Sequence, residues 1–395
     1  MSVALAFACL SIATSPFHHL LSLRTTALGL AALITFVSGG WRELILLPQK
    51  AAWWAWIIVA AVSVWYAHDW AVSLSDYRHE VLYTFGAWAT CYTLARRHDG
   101  ARWLALAVVV STLTTLAIGT ALFVQGQAWF DLGEFGDVGT ASTFLVMALP
   151  LFLLFALRSP PHSAKRVFAL FVAAWCIVAG SLTLNRTFGV AVAAEIAIFA
   201  LFSVRYWNSR FRTASILGVG ALILALAAVQ LLTTSESRIA LAAPGTGVWK
   251  FLADDPRGDL WRFAAARIAE NPWLGAGLGK WSSSEAFVAQ FGDPMLAHAH
   301  NMFLNRALET GLPGLATFVF LLASVAMAFR RVDRSDDAGT AAIGAAGLAL
   351  IAGVVIKNMT DDFFVRQNAM LFWSLAGAGL GAAAAREEAV ATAPS

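Results

Sequence analysis

Two imidazoles and a carboxamide fall within four residues, at His298, His300 and Asn301, directly before an apolar run. Imidazole is the side chain whose unperturbed pKa lies near neutrality, so either histidine can take a proton from a hydroxyl and return it. Upstream stand Arg186 and Arg257. A guanidinium is permanently charged, and its planar fork pairs two oxygens of a phosphate or carboxylate at once. Together these residue types suit acid–base work beside an anion. Asn301, Asn305 and Glu309 recur at i, i+4 and i+8, which places a polar stripe on one helix face beside them.

Composition limits where this chemistry can sit. The chain is 59% hydrophobic and 13% charged, with a mean hydropathy of +0.69, outside the range of soluble domains. A span needs about 20 mostly apolar residues. By that measure spans are expected near 2–16, 25–40, 52–67, 79–95, 102–124, 138–157, 166–184, 187–204, 213–232, 312–329, 339–356 and 367–385. The first two are short and broken by Pro16, His18 and His19. The expected fold is an all-α polytopic membrane protein of about twelve transmembrane helices with one large helical loop. Residues 1–232 would form an N-terminal bundle of about nine spans, 233–311 the loop, and 312–395 about three spans and a short tail. The N-terminus has neither a basic leader region nor a cleavage site, and reads as a retained first helix. Cys9, Cys91 and Cys176 lie in apolar stretches without ligand spacing and read as buried thiols. Most of the sixteen tryptophans read as interfacial and packing residues.

Charge orients the bundle. Alternate short connections and the tail hold fifteen lysines and arginines, against five on the opposite side. The positive-inside rule puts the basic set and both termini in the cytoplasm. The 125–137 connection, with Asp131, Glu134 and Asp137 and no base, falls on the other side. So does the 233–311 excursion, which is long enough to cross whatever its charge. Within it, Asp259 is placed to cap a helix running to about Glu270, with Trp261, Ala265 and Ile268 on one face. Pro272 stops that helix, and Gly275, Gly277 and Gly279 allow tight turns. Those glycines are not a nucleotide fingerprint, since no strand precedes them and no βαβ unit surrounds them. No basic run with interleaved aromatics supports nucleic-acid binding.

Three segments, in order, resemble the O-antigen ligase family. They are Thr183-Leu184-Asn185-Arg186-Thr187; Arg257-Gly258-Asp259-Leu260-Trp261 with Pro272 and Leu274-Gly275-Ala276-Gly277 after it; and His300-Asn301 with Leu304 and Glu309-Thr310-Gly311. Asn185 stands where serine is common in the family. Lys357-Asn358-Met359-Thr360-Asp361-Asp362-Phe363-Phe364 also looks like a form found in proteobacterial ligases of this kind. The resemblance implies a GT-C-like glycosyltransferase that needs neither metal nor cofactor. Its donor would be O-antigen on undecaprenyl pyrophosphate and its acceptor the lipid A core, at the periplasmic face of the bacterial inner membrane. A polymerase using the same donor, a pilin-directed transferase and a small-anion transporter are the alternatives.

Sugar–pyrophosphate cleavage builds negative charge on phosphate oxygens, which a metal or guanidinium groups must stabilise. Arg186 and Arg257 fit that role. His300 is the expected base, because it opens the following helix with Asn301. His298, Asn301, Asn305, Glu309 and Asp362 are expected substrate contacts. Plainer roles attach to the remaining charges. Arg267 can pair with Glu270, and Arg306 with Glu309, at i, i+3. Asp361 and Asp362 can pair locally with Arg366, Glu195 can pair within the bundle, and His298 can simply support His300.

Overall fold

The computed structural model describes residues 2–40, 42, 47, 49–97, 99–126, 138–183, 185–203, 257–279 and 281–392. The expected span at 213–232, Arg205, Arg210, Arg212, residues 127–137 and the 233–256 part of the excursion lie outside them, as does the Arg186 side chain. The helices, in chain order, are α1 (Val3–Ala13), α2 (Leu21–Thr35), α3 (Lys50–Trp65), α4 (Trp70–Tyr77), α5 (Tyr83–Arg96), α6 (Gly100–Val124) and α7 (Val138–Arg158). After these come α8 (Ala164–Leu182), α9 (Arg186–Ser203), α10 (Arg257–Glu270), α11 (Ser284–Phe291), α12 (Met302–Asp333), α13 (Ala338–Lys357) and α14 (Arg366–Thr392). Seven helical stretches among the described residues are long and apolar enough to cross a bilayer, and no strand occurs among them. The all-α polytopic class is therefore the observed one.

Lipid tails are as apolar as leucine, so membrane helices associate by close packing, and small residues let backbones approach. The α5–α14 pair shows this. A Cβ on Gly377 would stand 2.3 Å from the Trp88 carbonyl oxygen, and one on Gly381 would stand 2.2 Å from that of Tyr92. The tight pair brings Trp88 and Trp373 against Trp53 of α3, with ring centroids 5.5 and 4.6 Å from it. These three tryptophans are packing residues at the centre of the bundle. The Ala- and Gly-rich α13 is likewise enclosed, with Gly347 against the Phe329 ring and Gly353 against the Glu195 carboxyl. Glu195 departs from the expected pairing: it is fully buried, and neither carboxyl oxygen has a hydrogen-bond partner among the described residues.

The boundary expected between loop and span at 311/312 is a break inside one helix. Gly311 has φ +68° and ψ −178°, a region open essentially to glycine alone. The break releases two carbonyls of the preceding turn, and the glycine run meets them. Ala276 N–H donates to Leu308 O at 2.8 Å and Gly277 N–H to Glu309 O at 3.0 Å, while Leu312 N–H donates to Pro272 O at 2.7 Å. The short arm 302–310 is thereby clamped to the excursion, and the rest of α12 descends through the bundle.

Beyond the clamp, α10 and α11 close a small core of their own, with Leu260, Ala264, Phe287, Ala299 and Leu308 buried together. Two expectations for α10 are corrected. Asp259 is not the cap but lies in the first turn, paired with Arg262 at 2.5 Å. Ala265 is exposed, because packing against Phe287 and Ala299 selects the Leu260–Ala264 side of the helix.

A Cβ at Gly311 would sit 2.5 Å from the Trp273 carbonyl carbon. Gly311→Ala should therefore lower stability by on the order of 1–3 kcal/mol from backbone strain alone. Gly29→Ala, where a Cβ meets nothing within 4 Å, should not destabilise. Thermal unfolding in detergent compares them, and equal midpoints for the two variants would contradict the clamp.

Candidate active site

Four chain segments converge on one carboxylate. Asp361 lies in the 358–365 connection between α13 and α14, and its side chain is 10% exposed. Its Oδ1 faces Arg257 Nη2 at 3.6 Å and His300 Nδ1 at 3.7 Å. Its Oδ2 faces Lys357 Nζ at 3.4 Å and accepts a hydrogen bond from Asn185 Nδ2 at 3.2 Å. Burial alone would raise the Asp361 pKa. The nearby His300 ring, the charges of Lys357 and Arg257 and the Asn185 amide outweigh it and hold the value at about 2.

Each partner reaches the carboxylate from a helix end. Asn185 caps α9: its Oδ1 accepts from Thr187 N at 3.2 Å and Thr187 Oγ1 at 2.9 Å, while its amide nitrogen turns to Asp361. The carboxamide thus splits cap and carboxylate contact between two atoms, where a serine hydroxyl has one. Arg257 is the first residue of α10, and Lys357 the last of α13. Lys357 is fully buried, with its ammonium also 5.0 Å from the Phe363 ring centroid.

His300 sits one residue before the α12 cap, in a left-handed conformation with φ +48°. Its N–H donates to His298 Nδ1 at 3.0 Å, and the two rings stack with centroids 3.9 Å apart. His298 Nδ1 therefore carries no proton, and His298 helps hold the strained backbone of its neighbour. The other His300 nitrogen, Nε2, lies 3.0 Å from the Met295 carbonyl oxygen. Both nitrogens of this ring face acceptors. A neutral imidazole has one N–H and can serve only one of them, so a proton-accepting His300 needs one contact to open. The exposed Pro294–Leu296 turn carries the more accessible of the two.

The polar stripe of Asn301, Asn305 and Glu309, expected to contact substrate, is buried within the protein. Asn301 caps α12 by accepting from Phe303 N at 2.9 Å and Leu304 N at 3.1 Å, and its amide donates to Met359 O at 2.8 Å. Asn305 donates to Asp362 and accepts from Ala299 N at 3.0 Å. Glu309 is buried against Arg306 at 2.6 Å, and Arg306 also pairs with Glu80 in the Arg78–Leu82 turn before α5. These side chains satisfy backbone and charge within the protein, because α12 turns its polar face toward the 358–362 connection and Glu80. Arg366, expected to neutralise Asp361 or Asp362, pairs with Asp76 at 3.5 Å. Among the described residues, no three histidine, cysteine or carboxylate side chains gather as a metal site would.

Three of the segments that meet here lie within a stretch matched by a known family. The family model described as O-antigen ligase matches residues 171–319. Over that stretch the chain is similar to the O-antigen ligase family. Among curated proteins no match is found. The O-antigen ligase match takes in Asn185, Arg186, Arg257, His298 and His300, whereas Lys357 and Asp361 come from the connection beyond it.

Arg257 and His300 are thus joined through Asp361, and Arg186 begins the helix that Asn185 caps. Missed from the sequence were Asp361 as the common partner, Lys357, and the Met295 carbonyl. The i, i+4 spacing of Lys357 and Asp361 was the available signal for the first two.

Asp361→Asn leaves Lys357 buried without its counter-charge. Breaking a buried pair costs roughly 3–5 kcal/mol, and these separations of 3.4 to 3.7 Å favour the lower figure. A depressed carboxylate pKa contributes stability that is complete above the unfolded value of about 3.9 and lost as pH falls toward about 2. The wild-type minus Asp361→Asn difference in unfolding free energy should therefore be flat above pH 5 and shrink below about pH 4. A difference that is absent, or that grows on acidification, contradicts the charge assignment.

Proposed function

We propose that this membrane protein transfers O-antigen from undecaprenyl pyrophosphate to the lipid A core, on the periplasmic side of the bacterial inner membrane. The observation that carries the reading is the shared carboxylate: Asp361 ties a phosphate-type guanidinium, Arg257, to an imidazole, His300, inside and beside the matched domain. In this reaction the acceptor hydroxyl gives its proton to His300 Nε2 as its oxygen bonds to the anomeric carbon. The bond from that carbon to the pyrophosphate breaks, and the pyrophosphate leaves with its lipid. Arg257 and Arg186 stabilise the charge that develops on the leaving oxygens. An arriving pyrophosphate competes with Asp361 for Arg257, and the acceptor hydroxyl takes the place of the Met295 carbonyl at Nε2. Asp361 then orients the ring through Nδ1 and offsets its charge once protonated. The bilayer delivers both lipid-linked substrates, and neither nucleic acid nor cofactor enters the scheme. His298 supports His300, while Asn301, Asn305, Glu309 and Asp362 shape the site.

The choice of ligase over polymerase rests on the form of the 357–364 connection, whose Lys357 and Asp361 lie in the site. The orientation rests on the charge bias, with both termini cytoplasmic and the GT-C-like active face periplasmic.

Purified protein, lipid-linked donor and lipid A core should react in EDTA. His300→Ala should lower the rate about 10²–10⁴-fold at matched protein level, with a milder loss in His298→Ala. Arg257→Lys should also fail, because lysine keeps the charge but loses the fork. Activity restored only by magnesium or manganese would exclude the metal-free scheme. A product grown on a second lipid-linked repeat, rather than on lipid A core, would make the enzyme a polymerase. Near-normal transfer by His300→Ala would remove the base.

For orientation, a cysteine introduced at Ser283 in a background lacking Cys9, Cys91 and Cys176 should react with an impermeant maleimide from the periplasm. One at Ser335 should be protected, and the reverse pattern would invert the topology.

A further inference from the structure

A cavity of about 830 Å³ opens at the end of the bundle opposite His300, among α1, α5, α6, α7, α12, α13 and α14. Its volume lies in the upper part of the range of about 300–1,000 Å³ typical of ligand sites. The rim and the walls differ in kind. Among the described residues, five arginines, Arg96, Arg97, Arg102, Arg158 and Arg386, line the cavity with a single acid, Asp99. Arg96 is paired with Glu388, and Arg386 with Asp337 at 2.9 Å. No carboxylate among the described residues forms an ion pair with Arg97, Arg102 or Arg158. Below the rim the walls are apolar, with Leu104, Met147, Leu151, Leu350 and Leu375 among them.

The depth of the cavity fixes a scale. On α7 the lining runs from Arg158 at the helix end to Met147. Eleven residues at 1.5 Å each make about 16 Å, close to half of a hydrocarbon core about 30 Å thick. A soluble anion would leave these walls unused, and a neutral hydrocarbon would leave the arginines unused. One molecule matches both, with a charged phosphate at the mouth and a chain one leaflet long. Basic pockets between helices on the positively charged side of a membrane protein bind anionic headgroups for the same reason.

We propose that this cavity holds a phospholipid with an anionic phosphodiester headgroup, drawn from the leaflet on the basic side. Arg97, Arg102 and Arg158 grip the headgroup, and one acyl chain lies along α7 toward Met147. The site is separate from the transfer chemistry, and its test reads lipid retention rather than transfer.

The full-length protein is delipidated in maltoside and incubated with equal amounts of phosphatidylglycerol and phosphatidylcholine. Retained lipid is counted by mass spectrometry. A basic residue near a membrane surface gives roughly a fivefold preference for an anionic lipid, so the wild type should retain at least tenfold more phosphatidylglycerol. The triple variant R97Q/R102Q/R158Q, altered only at the rim, should bring the two lipids within about twofold. Leu151→Trp, which fills the cavity, should lower retention of both. R330Q/R331Q changes the same basic end outside the cavity lining and should retain lipid like wild type. Equal retention of the two lipids by wild-type protein overturns the proposal. So does retention of neither, which would mean that the chain's own residues or detergent fill the space. An equal loss in R330Q/R331Q would assign the preference to general surface charge, and the site would fall.

Discussion

A carboxylate withdrawn from water stays ionised only where cations and donors replace its hydration, and Asp361 draws such groups from four segments of the chain. Asn185, Arg257, His300 and Lys357 are separated by up to 172 positions, yet all come within 3.7 Å of its two oxygens. None of the four is placed by its own local sequence alone. Asn185 and His300 stand at helix starts, Arg257 opens α10 and Lys357 closes α13, so each helix must be correctly docked for the carboxylate to be neutralised. The reverse also holds: removing the anion leaves like charges facing one another across these helix ends. On the proposed chemistry the same position selects for an anionic substrate, because a pyrophosphate can replace one of Asp361's partnerships without leaving the guanidinium unpaired.

The second constraint is geometric. A helix whose start anchors His300 and that also crosses the membrane has to change direction, since the site faces the 358–362 connection and the span must follow the bundle. Gly311 makes that change, and Gly275 and Gly277 allow the excursion to reach the carbonyls so exposed. A Cβ at Gly275 would approach the Glu309 carbonyl within 2.6 Å. The glycine spacing thus serves backbone-to-backbone contact, the same physical need that glycines meet in phosphate loops, here directed at a helix.

The described spans were legible because hydropathy over about 20 residues is a local property. So were α10 and the Arg267–Glu270 and Arg306–Glu309 pairs, each set by spacing within one helix. The functional pairing was less legible. Asp361 lies five residues before Arg366, and local proximity pointed to that partner, but α14 carries Arg366 to Asp76 and leaves Asp361 to more distant cations. The stripe Asn301, Asn305 and Glu309 was correctly read as one face, while its direction depended on what packs against it. Which side of α10 is buried, and the absence of a hydrogen-bond partner for Glu195 among the described residues, are likewise set by tertiary neighbours.

Strain at His300 follows from these contacts. A non-glycine residue held at positive φ costs on the order of 1–3 kcal/mol and persists only where its surroundings over-determine it. Here the N–H is fixed by His298, the next residue caps α12, and the ring is held between Asp361 and the Met295 carbonyl. Three of those four restraints lie in buried or helix-end structure, and one lies in an exposed turn. Opening the Met295 contact frees Nε2 while the backbone, the stacking on His298 and the tie to Asp361 keep the ring in place. On the proposed chemistry, a hydroxyl bonded to Nε2 then meets a base whose orientation is already set. The requirement for a positioned imidazole and the cost of its backbone conformation thus have the same structural origin, the anchored start of α12.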